Sequence, residues 1–167
     1  MPYEMKVDGM AEISTLLDKM DKEAPGVAAR ALYDGAGIMA AEINQGAGQI
    51  KTAPFKYASG GNTRLPSPEE KEIVQAAAAG IAKFNKNGTE VDTSVGFRNS
   101  GYAELKGKMV PIPKIVNAIN SGTSFMNKQP FVRKAAKTAT PKALEAMRKH
   151  IEAEFGAIGK DYKESMK

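Results

Sequence analysis

The sequence predicts an α+β fold, a small antiparallel sheet with a hairpin packed against several helices, the last of them long. Three observations carry this. Apolar residues alternate with polar ones over Val91–Phe97 and again from Tyr102 to about Val110, the period of a strand with one buried face. Elsewhere they recur at spacings of three and four, the period of an amphipathic helix. Apolar residues make up 42% of the 167 and charged residues 26%, ordinary globular usage that fits a single domain.

In order along the chain, Tyr3, Met5 and Val7 alternate with polar neighbours and predict a short strand, broken at Asp8-Gly9. Met10, Ile13, Leu16, Leu17 and Met20 predict a helix that Pro25-Gly26 closes, because proline removes an N–H and clashes with the preceding turn. A second helix from Val27 to about Asn44 is rich in small residues, which permit close helix approach. Glycines and prolines crowd the stretch from Gly46 to Pro68 and predict a long loop over about 46–67. Ser67, Pro68, Glu69 and Glu70 read as an N-cap, a first-turn proline and acids at a helix start. They open a helical stretch over about 68–86.

Asn87-Gly88 signals a turn into the strand Val91–Phe97, and Asn99-Ser100-Gly101 is expected to reverse the chain into the strand from Tyr102, making a hairpin. Pro111 and Pro113 end the sheet region. A short helix over Lys114–Asn120 stops at Ser121-Gly122, where glycine can supply positive φ and Thr123 can cap the next segment. The last helix opens near Pro130, a good helix start, and Phe131 anchors it in the core. Pro141 interrupts its apolar stripe, and the expectation is one long helix kinked there.

Several chemistries are excluded or disfavoured. With no cysteine there is no disulfide, thiolate metal site or cysteine nucleophile. No stretch approaches the ~18 apolar residues of a membrane span, and Met1–Asp8 lacks the apolar core of a signal peptide, so synthesis in a cytoplasm is expected. His150 is the only histidine and reads as a solvated helix residue beside Arg148-Lys149. Gly35-Ala36-Gly37 resembles a dinucleotide fingerprint but lies in a helical pattern, without the strand that motif needs. Ser59-Gly60-Gly61 lacks the lysine of a phosphate loop, and Glu69, Glu70 and Glu72 are accounted for by the helix dipole. No catalytic, cofactor or metal site is expected.

Charge is unevenly placed. Residues 1–126 carry 14 basic and 14 acidic residues, whereas residues 127–167 carry 10 and 5, so the whole net charge of +5 sits in the C-terminal segment. Lys128, Arg133, Lys134, Lys137 and Lys142 precede that segment's first acid, Glu145, and are candidate contacts for DNA or for a partner protein. Sequence-specific DNA reading is disfavoured by sparse arginine and by the absence of tryptophan.

The run Tyr102-Ala103-Glu104, then Ser121-Gly122-Thr123, then Gln129-Pro130-Phe131-Val132-Arg133-Lys134-Ala135 resembles the phage tail-component family typified by the gene-ten product of HK-type long-tailed phages. That family is similar in role to the lambda minor tail protein Z. Gly9 before a leucine-rich helix, and Ala53-Pro54 after the small-residue helix, match as well. The family pattern departs at two inserted stretches, Pro68–Asn85 and Pro111–Asn120.

The resemblance implies a structural, non-catalytic virion protein of a tailed bacteriophage. It implies a self-assembled ring, six-fold like the tail tube, at the head-proximal end of the tail. Its partners would be head-closure, tail-terminator or tail-tube proteins, with genomic DNA close by in the lumen. The motif residues Gly9, Tyr102, Gly122, Thr123, Pro130, Phe131 and Arg133 are then expected to hold the fold. The rival expectation is a basic DNA-binding accessory protein that uses the C-terminal helix.

Overall fold

The computed structural model describes residues 10–56, 62–81, 85–87, 90–97 and 100–165. The expected strand around Tyr3–Val7, Gly9 and the Ser59-Gly60-Gly61 segment lie outside the described residues. The architecture is α+β. Helix α1 spans Met10–Gly48, α2 Pro68–Ala77, α3 Ile112–Ser121 and α4 Phe131–Ser165. Six short strands lie between α2 and α3: β1 Gly80–Ile81, β2 Asn85–Asn87, β3 Glu90–Asp92, β4 Val95–Gly96, β5 Tyr102–Leu105 and β6 Lys108–Pro111. They pair antiparallel as β1 with β4, β2 with β3, and β5 with β6.

The two long helices run antiparallel against each other. At 39 and 35 residues they extend ~58 and ~52 Å at the α-helical rise. Small residues line the seam: Ala31, Ala36 and Ala40 of α1, and Ala135, Ala139 and Ala143 of α4, are all buried. At Gly35 a Cβ would stand 2.6 Å from Met147 Sδ, so the methionine occupies the notch that glycine leaves.

This seam explains why neither helix-interior proline ends its helix. Pro25 lies inside α1, which therefore is one helix and not the two expected. Pro25 leaves the Asp21 carbonyl without its N–H partner, at a cost of ~3 kcal/mol. Immediately beyond it, Val27 and Ala31 are buried almost completely, and that burial holds the chain helical where propensity alone would stop it. Pro141 likewise lies within a continuous α4, and the Thr140 hydroxyl, a candidate cap for a new helix, instead donates back to the Ala136 carbonyl at 2.7 Å.

At the other end, the C-terminal part of α1, the start of α4, and α2, α3 and the strands share one apolar cluster. It includes Ile43, Ile50, Val74, Phe97, Ile115, Ile119, Met126 and Phe131. Phe97 and Phe131 meet edge to face at 6.4 Å, a favoured aromatic geometry.

Four boundaries differ from expectation. Gly46 and Gly48 belong to α1, so the loop begins after Gly48. The helix from Pro68 stops at Ala77 and does not continue to 86. Ala78 turns out with φ 53°, and the Asn44 side chain then takes both backbone groups of Ala79, donating to its carbonyl at 3.2 Å and accepting its N–H at 2.6 Å. The expected single strand Val91–Phe97 is split, with Glu90–Asp92 and Val95–Gly96 pairing to different partners.

The hairpin also falls later than expected, between Tyr102–Leu105 and Lys108–Pro111. Its turn is Lys106-Gly107, both at positive φ (54° and 74°), which matches the handedness of a tight two-residue hairpin. Gly101, where the reversal was expected, has φ 70° but only leads into β5, its carbonyl accepting the Ile112 N–H.

Candidate interaction site

A concavity lies where the C-terminal end of α1 meets the start of α4. It is an open cleft of about 920 Å³. Two backbone devices build it. Gln129 reaches across the chain, its Oε1 accepting the Lys51 N–H and its Nε2 donating to the Lys51 carbonyl, both at 2.8 Å, while its own N–H donates to Ile119. Gly122 sits at φ 75°, ψ 167° after α3, a conformation open essentially to glycine alone. A Cβ there would stand 3.0–3.2 Å from Lys128 Cβ, Cα and N, so the absence of a side chain admits the Lys128 backbone.

Between these points Thr123 Oγ1 accepts the N–H groups of Phe125 (3.3 Å) and Met126 (3.0 Å), closing a tight turn. The Asn120 side chain accepts the Val132 N–H at the first turn of α4. The segment carrying Lys128 and Gln129 is thereby held at both ends.

Of the five candidate cations, Lys128, Lys134 and Lys142 line the cleft, joined by Lys51 from the end of α1. Lys134, Thr138 and Lys142 share one face of α4 by their four-residue spacing. Arg133 and Lys137 fall on the neighbouring face and do not line it. Lys142 is ion-paired with Glu42 across the helix seam. Among the described residues Lys51, Lys128 and Lys134 have no carboxylate partner, and Glu42 is the only acid in the lining. The floor is apolar, with Ile50, Leu65, Phe131 and Ala135. Nothing in the sequence marked Lys51 or Glu42, because their nearness to α4 is set by how α1 ends.

A second exposed surface is the outer face of the β5–β6 hairpin. Register places Glu104 opposite Met109 and Tyr102 opposite Pro111, and cross-strand pairs share a face. Tyr102 is 66% and Met109 65% exposed, whereas Ala103, Leu105 and Val110 on the other face pack on the core. The motif residue Tyr102 therefore points outward, and Phe131 and Gly122 act internally.

Two polar clusters are structural. Glu70, 3% exposed, receives both guanidinium nitrogens of Arg64 at 2.6 and 2.7 Å together with the Ser67 N–H at 2.7 Å. The Ser67 hydroxyl in turn accepts the Glu70 N–H, completing a capping box. Burial pushes the Glu70 carboxyl up, but the Arg64 and Ser67 bonds outweigh it and hold the group below its ordinary range. Arg64 and Lys106 also flank the Phe55 ring at 4.8 and 4.9 Å, tying the loop after α1 to the start of α2.

His150 is not the solvated residue expected, for it lies partly buried in the α1–α4 seam. Its Nδ1 is 2.6 Å from Asp34 and its Nε2 3.0 Å from Glu154. Glu154 also accepts two bonds from Arg30 at 2.7 Å, which hold its carboxyl below the usual range. The adjacent Arg148 is turned to Glu145 and Glu152. The cluster crosslinks the two helices, and no third element faces it with a reacting group among the described residues.

Among the described residues no group of three or more His, Asp or Glu side chains is arranged to hold a metal ion, and no helix is long and apolar enough to cross a membrane. Compared with protein-family models, curated proteins and solved structures, the chain matches none.

Proposed function

We propose that this chain is a structural subunit of a tailed-bacteriophage virion, without catalytic activity. It forms a closed ring, six-fold like the tail tube, at the head-proximal end of the tail, and it joins the tail to the head-closing proteins in the neck. Synthesis takes place in the host cytoplasm and genomic DNA passes through the lumen.

The observation that carries the reading is the pairing of two unlike exposed surfaces on different elements, a hairpin face that exposes Tyr102 and Met109 beside Glu104 and a basic cleft at the start of α4. A ring closed by rotation needs two such different surfaces on every subunit. The resemblance of Tyr102, Gly122-Thr123 and Pro130-Phe131 to the tail-component motif supports the same class.

Sedimentation velocity on the purified chain tests it. A discrete hexamer is expected, and Tyr102→Ser with Met109→Ser is expected to return it to monomer with the fold intact. A wild-type chain that stays monomeric at every concentration, with and without neighbouring neck proteins, would remove the ring.

One observation favours the DNA-binding alternative: Lys128, Arg133, Lys134 and Lys137 are exposed and have no carboxylate partner among the described residues. Duplex affinity that falls steeply with salt and is lost with these four cations would establish it.

A further inference from the structure

We propose that the cleft between the end of α1 and the start of α4 is the docking site for a short, extended, acidic segment of a partner protein. The inference rests on the reading of the chain as a virion subunit only in making that partner a neighbouring virion protein.

Charge is the first argument. Lys51, Lys128 and Lys134 line one concavity and have no carboxylate partner among the described residues, and Glu42 is already taken up by Lys142. Cations gathered over an apolar floor strengthen one another's attraction for an anion, since low-dielectric walls focus the field. Size is the second argument. About 920 Å³ lies near the top of the ~300–1,000 Å³ range of ligand pockets, room for a few residues of peptide and too little for a folded domain.

The floor decides between peptide and nucleic acid. Leu65, half-buried at the cleft wall, offers apolar contact to a side chain of an extended strand, while Ile50 and Ala135 are buried beneath. Single-stranded nucleic acid would instead need an open aromatic face for stacking, yet Phe131 is buried and turned edge-on to Phe97.

The chain itself supplies a poor occupant. It carries 24 basic against 19 acidic residues, so a second copy would bring a net charge of +5 to a cleft that is itself basic. Charge complementarity therefore points to a different molecule and away from a second copy.

The test uses a fluorescein-labelled peptide of alternating glutamate and leucine, titrated with the full chain at low salt and followed by anisotropy. Saturable one-site binding that weakens as salt rises is expected. Lys128→Glu with Lys134→Glu should lower the affinity about tenfold or more. Arg133→Glu with Lys137→Glu makes the same charge change on the neighbouring face of α4 and should lower it by less than about threefold. Circular dichroism and urea midpoints of both variants report that the fold is kept.

Three results overturn the proposal: no saturable binding, equal losses in the two double variants, or displacement of the peptide by duplex DNA whose own binding depends on Lys128 and Lys134. Ring formation is read separately by sedimentation, so failure of the cleft and failure of the ring are distinguishable.

Discussion

Replacing Gly122 by alanine separates two costs that coincide at one residue. At φ 75°, ψ 167° any side chain strains the backbone, by roughly 1–3 kcal/mol. The new Cβ would also lie 3.0 Å from Lys128 Cβ and 3.2 Å from its Cα and N. Those are atoms of a segment that Gln129 holds to Ile119 and to Lys51, so it cannot retreat freely, and overpacking of that kind costs ~1–3 kcal/mol. Together the loss is about 3 kcal/mol, a large share of the ~5–15 kcal/mol of a typical domain.

Gly101→Ala is the internal control. Its φ is 70° with nothing within 4 Å of the added carbon, so it bears strain alone, ~1–2 kcal/mol. Urea unfolding of both variants, compared at unchanged slope, should place Gly122→Ala well below Gly101→Ala. A Gly122→Ala loss under ~1 kcal/mol, or a loss equal to that of Gly101→Ala, would refute the account of how the cleft wall is held. Because the same substitution displaces Lys128, it should also weaken binding of the acidic peptide.

The same geometry sets three further outcomes. Glu70→Gln strands the Arg64 guanidinium, which is only 13% exposed, and should cost ~3 kcal/mol or more by urea unfolding, since breaking one side of a buried pair leaves an uncompensated charge. Because the folded-state Glu70 carboxyl is held below its ordinary value, its contribution is complete above the unfolded carboxylate range, ~4.3, and is lost as pH falls through the folded value. Wild-type stability should therefore drop on acidification below about pH 4.3 more steeply than that of Glu70→Gln. Asn44→Ala leaves both backbone groups of Ala79 without their partner and should cost ~1–3 kcal/mol in the same assay. Glu42→Gln frees Lys142 and should tighten binding of the acidic peptide, whereas unchanged affinity would show that Lys142 does not take part.

The legible part of the fold is the part that depends on neighbours in sequence. Ser67-Pro68-Glu69-Glu70 announces a capped helix start and makes one. Pro130-Phe131 opens α4 and Gly122 comes directly after α3, as local turn and helix chemistry predicts. The strand region was legible as strand but not in its pairing, because Asn99-Ser100-Gly101 is by composition a stronger turn signal than Lys106-Gly107, yet the reversal occurs at Lys106-Gly107. The end of α2 was misplaced because the amide that draws the chain out of the helix, Asn44, lies 35 residues before Ala79. Pro25 misled for the converse reason, since a local breaking signal was overridden by burial against a helix more than a hundred residues further on.

The cleft joins the legible and the illegible. A charge excess after residue 126 is plain from counting, but helical periodicity does not separate Lys134 from Lys137, which lie three residues apart as neighbours on the helix surface. Periodicity does not say which face of α4 is walled. That is settled by Gln129, whose amide substitutes for a strand partner along Lys51 and so brings the end of α1 alongside the first turn of α4. Asn44 does the same work at Ala79. In both places one side-chain amide satisfies a donor and an acceptor that a longer sheet would have paired. With strands of two to four residues, such amides become the means by which distant segments are registered. The arrangement of the lysines therefore depends more on Gln129, Asn44 and Gly122 than on the lysines' own positions in the sequence.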